Sequence, residues 1–222
     1  MDIVKDGRAA SRRGFSLIEM LVVLGILAVL AGASMGGYAF VTRRAEQARV
    51  RELVSNVATA LNVLFQRQNR WPAALLTESQ GDGRLTARAA ACLAANGLMS
   101  LSSTTAEVDG ETVYTLSGLD RCGIVTPWAT AVLKRLSTGD SGLSAKVPSG
   151  GTVQDHQLHF AVDDDGDGIV QVRLGSGTRQ VRANAVVWSW GMNGAEDDYE
   201  ASMAGRGKAD DVFSWSRGQE VK

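Results

Sequence analysis

Gly14-Phe15-Ser16-Leu17-Ile18-Glu19-Met20 opens the stretch that decides how this chain is built, because after Glu19 no charged residue appears until Arg43. The 22 uncharged residues of 20–41 make a helix of roughly 33 Å at about 1.5 Å per residue, which matches a hydrocarbon core of about 30 Å. The segment is therefore expected to span a bilayer. On its N-terminal side stand Lys5, Arg8, Arg12 and Arg13 against Asp2 and Asp6, an excess of positive charge that orients the N-terminus toward the cytoplasm. A secretory signal would have a shorter apolar run of about 7–15 residues and a small-residue cleavage site beyond it. Here the candidate cut lies before the run, at Arg12-Arg13-Gly14-Phe15, so the hydrophobic helix is expected to stay in the mature chain.

Working outward, residues 42–70 continue with helical periodicity. Val50, Val54, Val57, Ala58, Leu61, Leu64 and Phe65 fall on one stripe, and Arg49, Arg51, Glu52, Asn56, Thr59 and Arg67 lie opposite. No proline or glycine lies between Tyr38 and Arg70, so the apolar and amphipathic segments read as one long helix. Trp71-Pro72 is expected to end it, since proline disfavours helix in the residue before it. Residues 85–96 are alanine-rich and read as a second helix stopped at Asn96-Gly97. Strand character marks 112–116, 157–162, 169–174 and 181–190. The acidic run Asp163-Asp164-Asp165-Gly166-Asp167-Gly168 reads as the turn of a hairpin between the second and third. The expected fold is α+β: a long N-terminal helix on an antiparallel sheet of three or four strands.

The 222 residues carry a formal net charge of −1, and removal of 1–14 takes it to −3. A generic nucleic-acid binder is usually basic, so none is expected as a partner. Arg43, Arg44, Arg49 and Arg51 suit solvent or lipid headgroups better. No convergent nucleophile, base and open metal site is legible, which argues against an enzyme. Gly32-Ala33-Ser34-Met35-Gly36 spells a hydrolase string, but that motif needs a strand, a turn and a helix in a sheet. Its glycines suit close helix packing or local melting instead. His156 and His159 sit three apart near a strand, on opposite faces, and do not converge on a metal. Cys92 and Cys122 are too few for a disulfide framework but enough for one bridge in an oxidising compartment.

Glu19 is the anomaly. A charge in a transmembrane helix costs up to about 2.5–3.5 kcal/mol near its centre, so it normally has a partner or a purpose. A cut after Gly14 frees the amine of Phe15 four residues away, and a carboxylate one turn distant neutralises the amine of its own chain or of a neighbour. Gly14-Phe15-Ser16-Leu17-Ile18-Glu19 followed by a long apolar helix resembles the class III signal of type IV pilins and type II secretion pseudopilins. The resemblance covers residues 1 to about 70, including the exit Asn69-Arg70-Trp71-Pro72. It implies cleavage after Gly14 by a prepilin peptidase, methylation of Phe15, and Glu19 as the residue that directs assembly.

The resemblance also implies an organisation: leader 1–14, membrane and filament-core helix 15–41, and a periplasmic domain 42–222. The chain would sit in the bacterial inner membrane, in contact with lipid and with the assembly platform, before joining identical or homologous subunits in a filament. A pseudopilus of type II secretion is the first reading, a type IV pilus for adhesion, motility or DNA uptake the second. More weakly, Thr126-Pro127-Trp128, then 187–194 and 209–215, resemble elements of the major pseudopilin, whose domain closes on a calcium-binding loop. Calcium takes six to eight oxygen ligands, and Ser189, Asn193, Asp210 and Asp211 are the side-chain candidates. Asp163, Asp165 and Asp167 spell the first half of an EF-hand loop, a second candidate site. Its twelfth position is Leu174 where a bidentate Glu is required, so a plain turn is the better reading.

Overall fold

A computed structural model describes residues 16–100, 103–108, 111–116, 122–133, 142–205 and 209–221. The leader 1–14, with Gly14 itself, and Phe15 lie outside the described residues. The chain forms two compact units, 1–44 and 45–222.

In the first unit the expected long helix begins. Helix α1 runs Leu17–Gln68, with the amide of Glu19 donating to the backbone and side-chain oxygens of Ser16 at 3.1 and 3.2 Å. The backbone stays helical through 32–37, so the glycines do not melt it here. Leu17, Ile18 and Val29 are 84, 72 and 73% exposed. Side chains of the uncharged run are described over 17–32, at Tyr38 and from Val41. Among the described residues no helix is long and apolar enough to cross a membrane.

The second unit is α+β. In its part of α1, Val50, Val54, Val57, Leu61 and Leu64 are at most 1% exposed, while the charged face is open to solvent. Each such side chain contributes about 1.5–3 kcal/mol on burial. The helix ends two residues earlier than the sequence suggests: Asn69 turns into the left-handed region at φ 49° and its amide caps Phe65 O at 2.7 Å. Asparagine tolerates that conformation because its short polar side chain bonds locally. Trp71 then stacks on Phe65 at 4.9 Å, and Pro72 caps a short helix α2, Ala73–Gln80, which the periodicity does not announce. The alanine-rich helix α3 is Ala87–Ala95, its start capped by Thr86.

The strands do not form one sheet. Strands β1 (Ser103–Val108) and β2 (Glu111–Leu116) pair antiparallel. After helix α4 (Pro127–Leu133) come β3 (His159–Val162), β4 (Ile169–Leu174), β5 (Gly177–Arg182), β6 (Ala185–Ser189), helix α5 (Tyr199–Ala204) and β7 (Val212–Phe213). They make a three-stranded antiparallel sheet, β3-β6-β7, and a separate hairpin, β4-β5. The expected strand 181–190 is thus two strands. It breaks at Ala183-Asn184, where Ala183 N–H donates to Gly168 O at 3.1 Å and Asn184 O accepts from Asp163 N–H at 2.8 Å. The expected hairpin between 157–162 and 169–174 is therefore wrong: the acidic turn passes the chain from one sheet to the other.

The sheet of β3 and β6 is buried on both sides, which is why β6 carries five buried residues in a row. Phe160, Val162, Ala185 and Val187 face α1, α2 and α3 in one core, while Ala161, Val186 and Trp188 join Val170, Val172, Val181, Tyr199 and Trp215 in a second. Successive residues of a strand point to opposite faces, so a strand between two cores loses the alternation that marks a half-exposed one.

Candidate functional site

The C-terminal loop is assembled from three anchored pieces. Trp188 and Ser189 of β6 pair with Phe213 and Val212 of β7, which places Asp210 and Asp211 just ahead of a fixed strand. Asp198 caps α5 by accepting from Ala201 N–H at 2.7 Å, so Asp197 is held one residue before the helix cap. Carboxylate oxygens of Asp197, Asp210 and Asp211 lie within 4.8 Å of one another. Backbone amides hold them in place. Met192 N–H donates to Asp210 Oδ2 at 3.0 Å, Asp197 N–H to Asp211 Oδ2 at 2.8 Å, and Asp210 N–H to Asp197 Oδ2 at 3.0 Å. Gly191 has φ 62°, and a Cβ there would stand 2.0 Å from Asp210 Oδ1. Only glycine lets the loop close on that carboxylate.

The electrostatics of this cluster are unfavourable without a counterion. Asp211 is 7% exposed, and its Oδ1 is buried with no hydrogen-bond partner. Burial first, then the charges of Asp197, Asp210 and Glu196, push its pKa up to about 7 against the pull of the Asp197 amide. Asp210 is raised as well, chiefly by burial. An orphaned buried carboxylate oxygen beside two more carboxylates is a donor set that fits a hard divalent cation.

Of the residues the sequence nominated, the structure brings Asp210 and Asp211 together. Asn193 is engaged otherwise, since its Oδ1 accepts from Ala195 N–H at 2.9 Å and its amide reaches toward Asp197 Oδ1 at 3.5 Å. Ser189 is buried in the β6 ladder opposite Val212. Asp197 was missed. The signal was present in Glu196-Asp197-Asp198-Tyr199, an acidic helix start whose cap is Asp198, leaving its neighbour free for the loop.

The second acidic cluster is differently built. Asp163, Asp165 and Asp167 also gather within 4.8 Å. Both oxygens of the buried Asp163 are taken, by Gly166 N–H at 2.7 Å and Gly168 N–H at 2.8 Å. Asp165 and Asp167 each accept an amide two residues on. Leu174 is buried at the end of β4 and supplies no oxygen. This is a self-satisfied turn with two exposed carboxylates.

The histidines do not share a site. His156 is held between Thr126 Oγ1, 3.0 Å from Nδ1, and Gly150 O, 2.9 Å from Nε2, the pattern of a neutral ring donating from Nε2. His159 stacks on Trp188 at 5.6 Å and lies tilted against Trp190 at 5.0 Å, and burial, aided by Arg84, lowers its pKa to about 4. Trp128, just inside α4, donates from Nε1 to Glu46 Oε2 on α1 at 2.7 Å, a charge-assisted bond. Cys92 lies on α3 and Cys122 is buried ahead of α4, and burial raises the thiol pKa of both.

Residues 10–35 match the family model described as the prokaryotic N-terminal methylation motif. The matched stretch contains Gly14, Phe15 and Glu19 and is consistent with a type IV pilin or pseudopilin. No curated protein and no solved structure matches the chain.

Proposed function

We propose that this chain is the structural subunit of a type II secretion pseudopilus, held in the inner membrane by residues 15–41 with 42–222 in the periplasm, then polymerised into a filament that drives protein export. The observation that supports this reading is the N-terminal methylation motif at 10–35, with Glu19 in the first turn of α1. A peptidase cut after Gly14 frees the Phe15 amine, and Glu19 of one subunit pairs with that amine on the next. The pairing offsets the cost of a carboxylate among apolar helices and fixes the register of the bundle. Partners are then like subunits, the peptidase that cuts and methylates, the assembly platform and, before assembly, lipid.

Calcium belongs to the same reading. Asp197, Asp210 and Asp211 would hold it, and the ion would supply the positive charge that lets three neighbouring carboxylates ionise together. The role is structural: it pins the 190–198 loop to the start of β7.

Mass spectrometry of the mature chain tests the proposal. The expected N-terminus is a methylated Phe15, and Gly14 replaced by a bulky residue leaves the precursor uncut. Glu19→Val keeps membrane insertion, because it removes an unfavourable charge, but abolishes filaments. A mature chain beginning after residue 41, or filaments at normal yield from Glu19→Val, would overturn it. Loss of protein export in a deletion strain supports the pseudopilus; loss of surface fibres with export intact supports a type IV pilus instead.

A further inference from the structure

Asn96 and Asn193 are each followed by glycine, whereas Asn56, Asn62, Asn69 and Asn184 precede valine, valine, arginine and alanine. At an asparagine–glycine pair the backbone nitrogen of the glycine can attack the asparagine carboxamide, because no side chain on the following residue stands in the way. The structure treats the two pairs in opposite ways. Asn96 closes α3: its Nδ2 donates to Cys92 O at 2.7 Å, its Oδ1 accepts from Gln68 Nε2 at 2.9 Å, and Gly97 N–H donates to Ala94 O at 2.9 Å. Carboxamide and attacking nitrogen are both tied.

Asn193 lies exposed in the turn between β6 and α5, and there the reacting groups are free or activated. Gly194 N–H has no hydrogen-bond partner among the described residues. Asn193 Oδ1 accepts from Ala195 N–H at 2.9 Å. That bond folds the carboxamide back over the Gly194 nitrogen and stabilises the negative charge that the oxygen gains on attack. The glycine is itself required: its φ is 67°, and a Cβ there would stand 2.9 Å from His156 Nε2. The backbone carbonyl of Asn193, by contrast, is covered, since Gly150 approaches it so closely that a Cβ at 150 would stand 2.8 Å from its oxygen.

We infer that Asn193 is a self-modification site: in the folded chain it deamidates to aspartate, and the new carboxylate joins Asp197, Asp210 and Asp211. The Gly194 nitrogen, having lost its proton to solvent, bonds to Asn193 Cγ. The Cγ–Nδ2 bond breaks, and ammonia leaves after taking up a proton. Water then opens the cyclic imide at Cγ, because the backbone carbonyl is packed against Gly150, and the Gly194 N–H is restored. Water is consumed and ammonia released; nothing is oxidised or reduced. Asn193 Nδ2 stands 3.5 Å from Asp197 Oδ1, so the oxygen that replaces it enters a cluster whose carboxylates already lie within 4.8 Å of one another. The added carboxylate raises the mutual repulsion of the cluster and its affinity for a divalent cation, which ligand charge tunes. Only the second consequence rests on the calcium reading.

The test stores the full chain in detergent micelles at mildly alkaline pH and follows it for weeks by peptide mapping with mass spectrometry. Asn193 should gain the mass of an amide-to-acid conversion about tenfold faster than Asn96, whose side-chain bonds must break first. The product should be aspartate more than isoaspartate, the reverse of an unstructured peptide. The converted chain, and Asn193→Asp made directly, should both melt below the parent in chelator and bind calcium about tenfold more tightly by titration calorimetry. Asn193→Gln, whose longer side chain closes the ring far more slowly, should stay unconverted and keep its melting temperature on storage. A converted chain that melts lower in chelator yet gains nothing from calcium would refute the calcium reading and leave this inference standing. Absence of conversion, equal rates at Asn96 and Asn193, or isoaspartate as the main product would each overturn it. So would an unchanged melting temperature in chelator or, where the parent binds calcium, an unchanged affinity.

Discussion

The sharpest test of the C-terminal cluster is Asp211→Asn, a change that keeps the shape and removes the charge. A carboxyl moved from 3.8 to about 7 in the folded chain corresponds to about 4 kcal/mol at 1.36 kcal/mol per pH unit, a ceiling that solvent screening reduces to about 2 kcal/mol. The folded state binds the Asp211 proton more tightly than the unfolded state. This contribution is therefore fully present below pH 3.8 and is lost as the pH rises through about 7. Without metal at pH 8 the variant escapes the cost of a buried, crowded carboxylate. The pull of the Asp197 amide is already contained in that net shift. The variant is therefore about 2 kcal/mol more stable than the parent in chelator, or about 4–8 °C in Tm for a domain of this size.

With calcium at about a hundred times Kd the parent gains about 2.7 kcal/mol, or about 5–11 °C, and the variant gains little. The order of melting temperatures thus reverses on adding calcium, and the gap in chelator closes as the pH is lowered toward 4. Thermal melts of the full chain in micelles, followed by circular dichroism, read all four conditions. A variant that keeps the calcium shift shows that the ion, if bound, is elsewhere. A variant that melts lower than the parent in both conditions, with the gap unchanged from pH 4 to 8, shows that Asp211 is simply a structural acceptor.

Asp165→Ala, which loses only the bond from Asp167 N–H, should change stability by less than about 1 kcal/mol and leave the calcium shift intact; loss of that shift would move the ion to the 163–168 turn. His159 resists protonation, so its contribution is present above the ordinary histidine pKa of 6.5 and lost as the pH falls toward about 4. His159→Phe, which also removes the unpartnered Nδ1, should therefore match or exceed the parent at pH 7.5 and exceed it by about 2 kcal/mol at pH 4.5; equal pH profiles in thermal melts would refute the assignment. Leu61→Ala, at a position with no exposure in the α1 interface, should cost about 3 kcal/mol by denaturant titration, and a cost below about 1 kcal/mol would mean that α1 is not seated in this core.

Interactions short in sequence were legible before any fold was known. The stripe Val50, Val54, Val57, Leu61 and Leu64 is buried as its spacing requires, because a helix converts periodicity directly into a face. Thr86 and Asn96-Gly97 bracket α3 through caps that act over one turn. Strand β4 lies within the bounds its alternation suggests. The methylation motif at 10–35 is likewise a local string that carries its own meaning.

Pairings between distant segments were decided by tertiary structure alone. Nothing in 157–174 says that β3 would reject its neighbour β4 and pair with β6, because the two partnerships differ in burial that only the whole sheet supplies. β6 sits between two cores and shows no alternation, so sequence merged it with β5. Asp197 joined Asp210 and Asp211 because α5 folds back between them, a closure across a dozen residues that spacing does not encode. The raised pKa of Asp211 has the same origin: desolvation belongs to the packed molecule, and a linear chain does not carry it.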